Sequence, residues 1–543
     1  MSSKQTPTSR TRFSIRILLI LIVALGGLLR FYGHNWGDGL FFHPDEDNMA
    51  RSISQMSLGN GLHPDFFAYG QFPLYVAYFS YQLVHGLKLE LVPFKDAVYL
   101  LRYWSGLFST LTIPLVYLIT KRLINRQYGL LAASVVALMP GLIQAAHFGT
   151  TESLLTFLYM LIIYLSLRAL KFKHILHNAV LLGIAFGLAL GIKVSAIYFV
   201  LPVGIASLFS LRNRKYFIAF WLIFGLLTLL FTVLASPHSF LDYPAFLSSM
   251  RYETSVALGE VKVFYTRQFE NSHPFIFQFS KVFPFAVGLV TTALGSLGGL
   301  LVFKERKSRT LILFLSFVIA LAANGFMFAK WTRFMAPVFP LFAIFTAYAL
   351  YKIQNKLVVI LVLFIAALQG LLFFQIYTHP DTRIMASSWI NKNIPDSSYI
   401  LSETANVVDI PTSTAGRPTR NYKVISFDFY HLDQEEELPE MLIDHLEKAD
   451  YIFVPSRRLF ANLPQNKNRY PILEKYYNAL FSGDLGYELV YTQRPSYCRY
   501  LGKICNWIEL QAEETFSVFD HPTVRVYRKN NVQSSDEYRK LLL

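Results

Sequence analysis

Eleven apolar runs, most of them near the ~20 residues that a helix needs to cross a bilayer, dominate this chain. They lie near 13–31, 98–120, 127–146, 152–168, 176–192, 195–211, 216–236, 281–303, 310–329, 334–351 and 357–377. In lipid every backbone polar group must be bonded within the chain, so each run is expected as a helix. The composition agrees, with 53% hydrophobic and only 16% charged residues, where a soluble protein holds about a quarter charged. The expected fold class is a polytopic α-helical membrane protein of about 11 transmembrane helices with a C-terminal soluble α/β domain.

Charge gives the runs a direction. The net charge of +15 is uneven: residues 1–377 carry 31 Lys and Arg against 13 Asp and Glu, and 378–543 carry 19 against 22. The basic residues of the first part gather in alternate loops: Arg10, Arg12 and Arg16; Lys121, Arg122 and Arg126; Arg168, Lys171 and Lys173; Arg212, Arg214 and Lys215; Lys304, Arg306, Lys307 and Arg309; Lys352 and Lys356. A single acid, Glu305, shares that side. Positive loops stay inside, so the N-terminus is expected in the cytoplasm, with the protein multi-pass in the cell membrane. The basicity is a topology signal and not a nucleic-acid footprint.

The run 72–87 is shorter and holds tyrosines and a histidine, and counting it as a span would turn every later basic loop outward. It is expected as an interfacial helix within a long first outer loop, 32–97. Residues 1–377 then form the transmembrane domain. Residues 378–543 alternate amphipathic stretches (382–394, 438–449, 472–480) with strand-like runs (423–430, 450–455, 487–492, 523–528), which predicts an extracytoplasmic α/β domain. It holds both cysteines, Cys498 and Cys505, which an oxidising compartment would allow to pair. That domain is expected to shape acceptor access without supplying catalytic groups.

Four polar clusters are brought to the outer face by this topology. The first is Phe41-Phe42-His43-Pro44-Asp45-Glu46-Asp47-Asn48. A carboxylate held at the membrane surface is costly unless paired or used, and there it can serve as general base for an incoming hydroxyl. Asp-Glu-Asp could also offer oxygens to a divalent cation, with His43 and His63 nearby, although the spacing matches no closed ligand set. The second cluster is His147-Phe148-Gly149-Thr150-Thr151-Glu152, whose Glu152 competes with a simple role at a helix N-terminus. The third is Gly191-Ile192-Lys193-Val194-Ser195, where the lysine either works or snorkels to headgroups. The fourth is Lys330-Trp331-Thr332-Arg333-Phe334, followed by Pro337 and Pro340, a cation pair suited to phosphate.

These motifs, with Tyr69-Gly70-Gln71-Phe72-Pro73-Leu74-Tyr75 and Arg102, stand in an order that resembles the membrane glycosyltransferases of the C-type fold (GT-C). The chain is most similar to bacterial relatives of the dolichyl-phosphate-mannose–protein mannosyltransferases, and more distantly to the aminoarabinose transferase of lipid A. The latter carries Lys-Pro-Pro where this chain has Gln71-Phe72-Pro73, which disfavours that substrate. The resemblance implies an inverting hexosyl transfer at the outer face, from a polyprenyl-phosphate sugar donor to a hydroxyl-bearing protein or glycolipid acceptor. It makes Asp45 the catalytic acid-base residue, with Glu46 beside it. It makes Lys330, Arg333, Lys193 and Arg102 donor-phosphate ligands, and His43, Tyr69, Gln71, His147 and Glu152 substrate contacts. Glu152 stands where those families more often carry Asp. Membrane lipids are the remaining expected partners. The rival reading, a polar-lipid transporter or flippase, would need ionisable groups along a path near the midplane, whereas the acids here crowd one face.

Overall fold

The computed structural model describes residues 9–171, 175–211, 213–403, 409–412 and 420–543, with side chains from residue 13 onward. The loop cations Arg10, Arg12, Lys173 and Arg212 lie outside the described side chains. The chain forms two compact units. One contains residues 45–261 and 272–374 together with the N-terminal segment to 34; the other contains 35–44, 262–271 and 375–543. The second unit thus begins three residues before the expected boundary and takes in two segments from the first 377 residues.

The first unit is a multi-pass helical bundle. Among the described residues nine helices are long and apolar enough to cross a bilayer, and a tenth span is a pair, Arg126–Ala137 and Pro140–His147, bent by 54°. The eleventh apolar run is the short helical stretch Val194–Ser210. Pro140 has no N–H to continue the ladder, so carbonyls are freed at the bend. Arg30, fully buried, reaches two of them: Nη1 donates to the Ala137 carbonyl and Nη2 to that of Val136, each at 2.9 Å. The run at 72–87 forms the helix Phe72–Val84, started by Pro73 in its first turn and too short to span;.

The basic loops share one end of the bundle. Arg309 donates to the Arg122 carbonyl at 3.4 Å, and Lys352 pairs with Glu305 at 3.0 Å. Tyr128 packs edge-on to Tyr351. The candidate site residues on helices and turns lie at the opposite ends of these spans.

The second unit is a five-stranded sheet flanked by helices. Strands β1 (Tyr399–Glu403), β2 (Lys423–Phe427), β3 (Tyr451–Val454), β4 (Tyr487–Gln493) and β5 (Val524–Lys529) lie in the order β2-β1-β3-β5-β4. Both neighbours of β1 run parallel to it, and β5 is antiparallel to β3 and β4. Side chains alternate between the faces, so successive residues feed two cores. Ile400, Tyr451, Phe453 and Val526 pack under the helix Thr382–Asn393. Leu401, Ile452, Val454 and Tyr527 pack with the helices Leu438–Lys448, Pro471–Ser482 and Ser535–Leu542. Strand β1 was not among the expected strands. Cys498 and Cys505 are bonded, their Cα atoms 5.2 Å apart.

Candidate functional site

Residues 44–55 form a helix. Pro44 suits its first turn, where no N–H is needed, and Asp45, Glu46 and Asp47 favour the positive end of its dipole. A helix turns each residue by about 100° from the last, so the three acids point in three directions. Each meets its own arginine: Asp45 pairs with Arg333, Glu46 with Arg102, and Asp47 with Arg51.

Only the first of these pairs combines partial exposure with the other candidate groups. The side chains of Asp45 and Arg333 are 18% and 22% exposed. The Arg333 guanidinium lies over Trp331 at 5.0 Å and over Phe334 at 5.7 Å. Phe334 also receives the Lys193 ammonium at 4.7 Å, and Lys193 sits over Tyr69 at 5.1 Å. Residues from the first outer loop, from the turn after Ile192 and from the turn before Phe339 therefore meet around one aromatic ring.

Backbone contacts hold this arrangement. The Gly70 N–H donates to the Ile192 carbonyl at 2.8 Å, which docks the Tyr69 segment beside Lys193. A Cβ at Gly70 would stand 2.1 Å from the Gly191 oxygen, so only glycine fits. Burial pushes the Lys193 ammonium down from its usual value, and the carboxylates of Glu152 and Glu253 pull it back up. Glu253, on the helix Tyr243–Leu258, is pushed up by burial and drawn down by Lys193. Sequence reasoning missed Glu253. Its one visible signal was a single acid in a helical stretch between two spans.

Several expected contacts are corrected by their burial. Glu46 and Arg102 have no exposed side-chain surface. Arg102 donates Nε to Oε1 at 2.7 Å and Nη2 to Oε2 at 2.6 Å, and Glu46 also accepts the Gly149 N–H at 2.8 Å. A Cβ on Gly149 would meet Leu101 at 2.7 Å, so the close approach needs glycine. The pair fastens the Asp45 helix to the bundle and leaves neither group facing a substrate. Lys330 is 4% exposed and turns back to the Phe328 carbonyl at 3.1 Å, away from a shared clamp with Arg333. Burial lowers its pKa. His147 is fully buried between the carbonyls of Ile143 and Tyr32. Gln71, also fully buried, accepts the His238 N–H at 3.0 Å. His43 belongs to the second unit, packed on Phe519. Glu152 is 4% exposed at the start of the helix Glu152–Ala169, where Lys193 senses its charge.

A divalent cation does not fit these residues. Among those described, no three His, Cys, Asp or Glu side chains come together as a ligand set. The Asp-Glu-Asp oxygens are spread over three arginines, and His63 is engaged with Asp65 and Asp242.

Residues 90–240 match the sequence profile of the dolichyl-phosphate-mannose-protein mannosyltransferase family. No curated protein matches the chain significantly by sequence. Among solved structures, the oligosaccharyltransferase AglB of Archaeoglobus fulgidus, in complex with an inhibitory peptide and a dolichol-phosphate, is similar over 96% of this chain and 89% of its own, with 12% identity and a TM-score of 0.53. An oligosaccharyltransferase of that organism tethered with an acceptor peptide covers 95% and 89%, with 11% identity and a TM-score of 0.52. Apo ArnT from Cupriavidus metallidurans is 17% identical over 87% of this chain and 76% of its own, with a TM-score of 0.45. The chain thus shares the fold of these archaeal oligosaccharyltransferases.

Proposed function

We propose that this protein transfers a sugar, with inversion, from a polyprenyl-phosphate donor to a hydroxyl of a protein or glycolipid at the outer face of a bacterial inner membrane. The observation that carries the reading is the Asp45–Arg333 pair, joined through Phe334 to Lys193. The dolichol-phosphate in the similar archaeal enzyme and the family match of residues 90–240 support a lipid-linked donor. The gathering of basic loops at the far end of the bundle supports the orientation.

Arg333 offers a fork that grips phosphate with two parallel hydrogen bonds. A donor phosphate that takes Arg333 releases the Asp45 carboxylate. Asp45 then accepts the proton of the acceptor hydroxyl while its oxygen bonds to the anomeric carbon. The bond from that carbon to the phosphate oxygen breaks with its electron pair, and polyprenyl phosphate leaves with the added charge. Arg333 and Lys193 stabilise that growing charge in a site poor in water. Attack opposite the leaving group inverts the anomeric centre, as when a carboxylate base serves an inverting hydrolase. Glu152 and Glu253 keep Lys193 charged.

The test uses purified protein, a panel of polyprenyl-phosphate sugars and hydroxyl acceptors, and release of free polyprenyl phosphate. Acceptor-dependent release that is lost in Asp45→Asn is expected. No release with any donor, together with lipid movement across vesicles, would instead identify the transporter.

A further inference from the structure

A pocket of 460 Å³ opens in the second unit, and none of the site residues assigned above lines it. That volume lies within the range of small-ligand sites. Its wall at Ile376–Asp381 is the stretch of chain that leaves the last apolar span, Lys356–Thr378. The opposite wall is the turn that follows β4, with Arg494 and Arg499.

The charges are unequally committed. Asp381 is held by Arg383, Nε at 2.8 Å and Nη2 at 2.6 Å. Asp520 accepts the Tyr377 hydroxyl at 2.6 Å and faces the His521 ring nitrogen at 2.5 Å. Arg494 and Arg499 are both exposed, and neither forms an ion pair among the described residues. Two hydroxyls add neutral donors: Thr382, 4% exposed, and Ser496, neither of which has a hydrogen-bond partner there.

We infer that this pocket binds a phosphate group, with Arg494 and Arg499 as its cationic ligands and Thr382 and Ser496 as hydroxyl donors. Guanidinium groups matched with hydroxyls are the usual partners of phosphate oxygens. The group can come from an anionic lipid headgroup or from a soluble phosphate compound. The surroundings favour the lipid. Beside Arg499, the loop closed by the Cys498–Cys505 bond exposes Tyr500 and Ile504, and Trp507 is exposed two residues beyond it, an aromatic and aliphatic set of the kind that settles among headgroups.

The experiment uses the full chain in detergent, with native mass spectrometry to count bound phosphatidylglycerol, phosphatidylcholine as the neutral control, and inorganic phosphate as competitor. Wild type is expected to retain phosphatidylglycerol about tenfold more tightly than Arg494→Ala/Arg499→Ala, a step of one decade in affinity, and phosphate should displace it. The charge-keeping Arg494→Lys/Arg499→Lys variant should recover most of the difference. Phosphate that binds wild type but not the alanine variant, with no lipid preference, would also support the site and assign it to a soluble ligand. Equal retention of both lipids by wild type and the alanine variant, with no binding of phosphate, overturns the proposal. Unchanged thermal midpoints in the variants separate loss of ligand from loss of fold.

Discussion

Arg102 closes on Glu46 with two nitrogens, at 2.7 and 2.6 Å, and neither side chain reaches solvent. One residue earlier in the same helix, Asp45 is partly exposed and meets Arg333. Adjacent acids are thereby divided: Glu46 is sealed within the bundle and Asp45 stays open to solvent.

That division predicts opposite phenotypes. Glu46→Gln leaves a buried guanidinium without its counter-charge, at a cost of ~3–5 kcal/mol, and should lower the thermal midpoint while folded molecules still turn over. Asp45→Asn should keep its midpoint and lose transfer by ~10²–10⁴, the range for removing a general base. Melting curves and turnover per folded molecule check both. A Glu46→Gln protein that melts normally yet is inactive would return the base to Glu46.

Arg333→Ala should reduce transfer by roughly 30–150-fold, or ~2–3 kcal/mol for a charged hydrogen-bonded contact. Arg333→Lys should fall between, since a point charge replaces a fork. Lys330→Ala should stay within about twofold of wild type because its ammonium already serves the Phe328 carbonyl;. Steady-state release of polyprenyl phosphate gives the ranking, and a Lys330 effect as large as that of Arg333 would restore the expected two-cation clamp.

Glu253 should tune Lys193. A lysine with a depressed pKa loses its charge as pH rises through that value, and the nearby carboxylates delay the loss. Glu253→Gln removes one of them, so the alkaline limb of the kcat/KM profile should move to lower pH. A limb that stays in place, with Lys193→Ala inactive, excludes Glu253 from this role.

In the outer domain, burial holds the Glu403 carboxyl up to about 8, despite the hydrogen bond it accepts from Tyr477 at 2.6 Å. Such an acid keeps its proton better in the fold than in the unfolded chain. Its contribution is full below the ordinary glutamate value and is lost as pH rises toward 8, by up to roughly 1.4 kcal/mol per pH unit. Amide exchange in β1 and β3 of the full chain, corrected for intrinsic rates, should show less protection at pH 8 than at pH 5.5. Glu403→Gln should flatten that slope, and a variant with the wild-type slope would falsify the linkage.

The bundle was legible because hydropathy and basic loops report directly on what lipid demands of a chain. Asp45, Arg333 and Lys193, which meet around Phe334 in the fold, stand out in the sequence for a related reason, since charged groups at membrane exits are expensive to keep idle. The separate fates of Asp45, Glu46 and Asp47 were not. They depend on 44–55 being a helix, and its Pro-acid-acid start does not reveal which acid meets which arginine. Lys330 looked equivalent to Arg333 by spacing, and only the path of the turn sends it to Phe328. Strand β1 was hidden by its ends, because Tyr399 and Glu403 enclose just three residues of Ile-Leu-Ser.

The segments 35–44 and 262–271 have a consequence for biosynthesis. Phe42 lies beneath the Arg383 guanidinium, Phe264 packs on Tyr430, Arg267 donates to the Tyr470 hydroxyl, and Asn466 donates to Glu270. These pieces leave the ribosome long before the sheet that receives them, so the outer domain cannot finish until the last third of the chain is made. It is no cassette to be grafted onto another bundle or trimmed away. Pro44 belongs to that late-completed unit and Asp45 to the other, so a single peptide bond joins the segment that must wait for the sheet to the helix that carries Asp45.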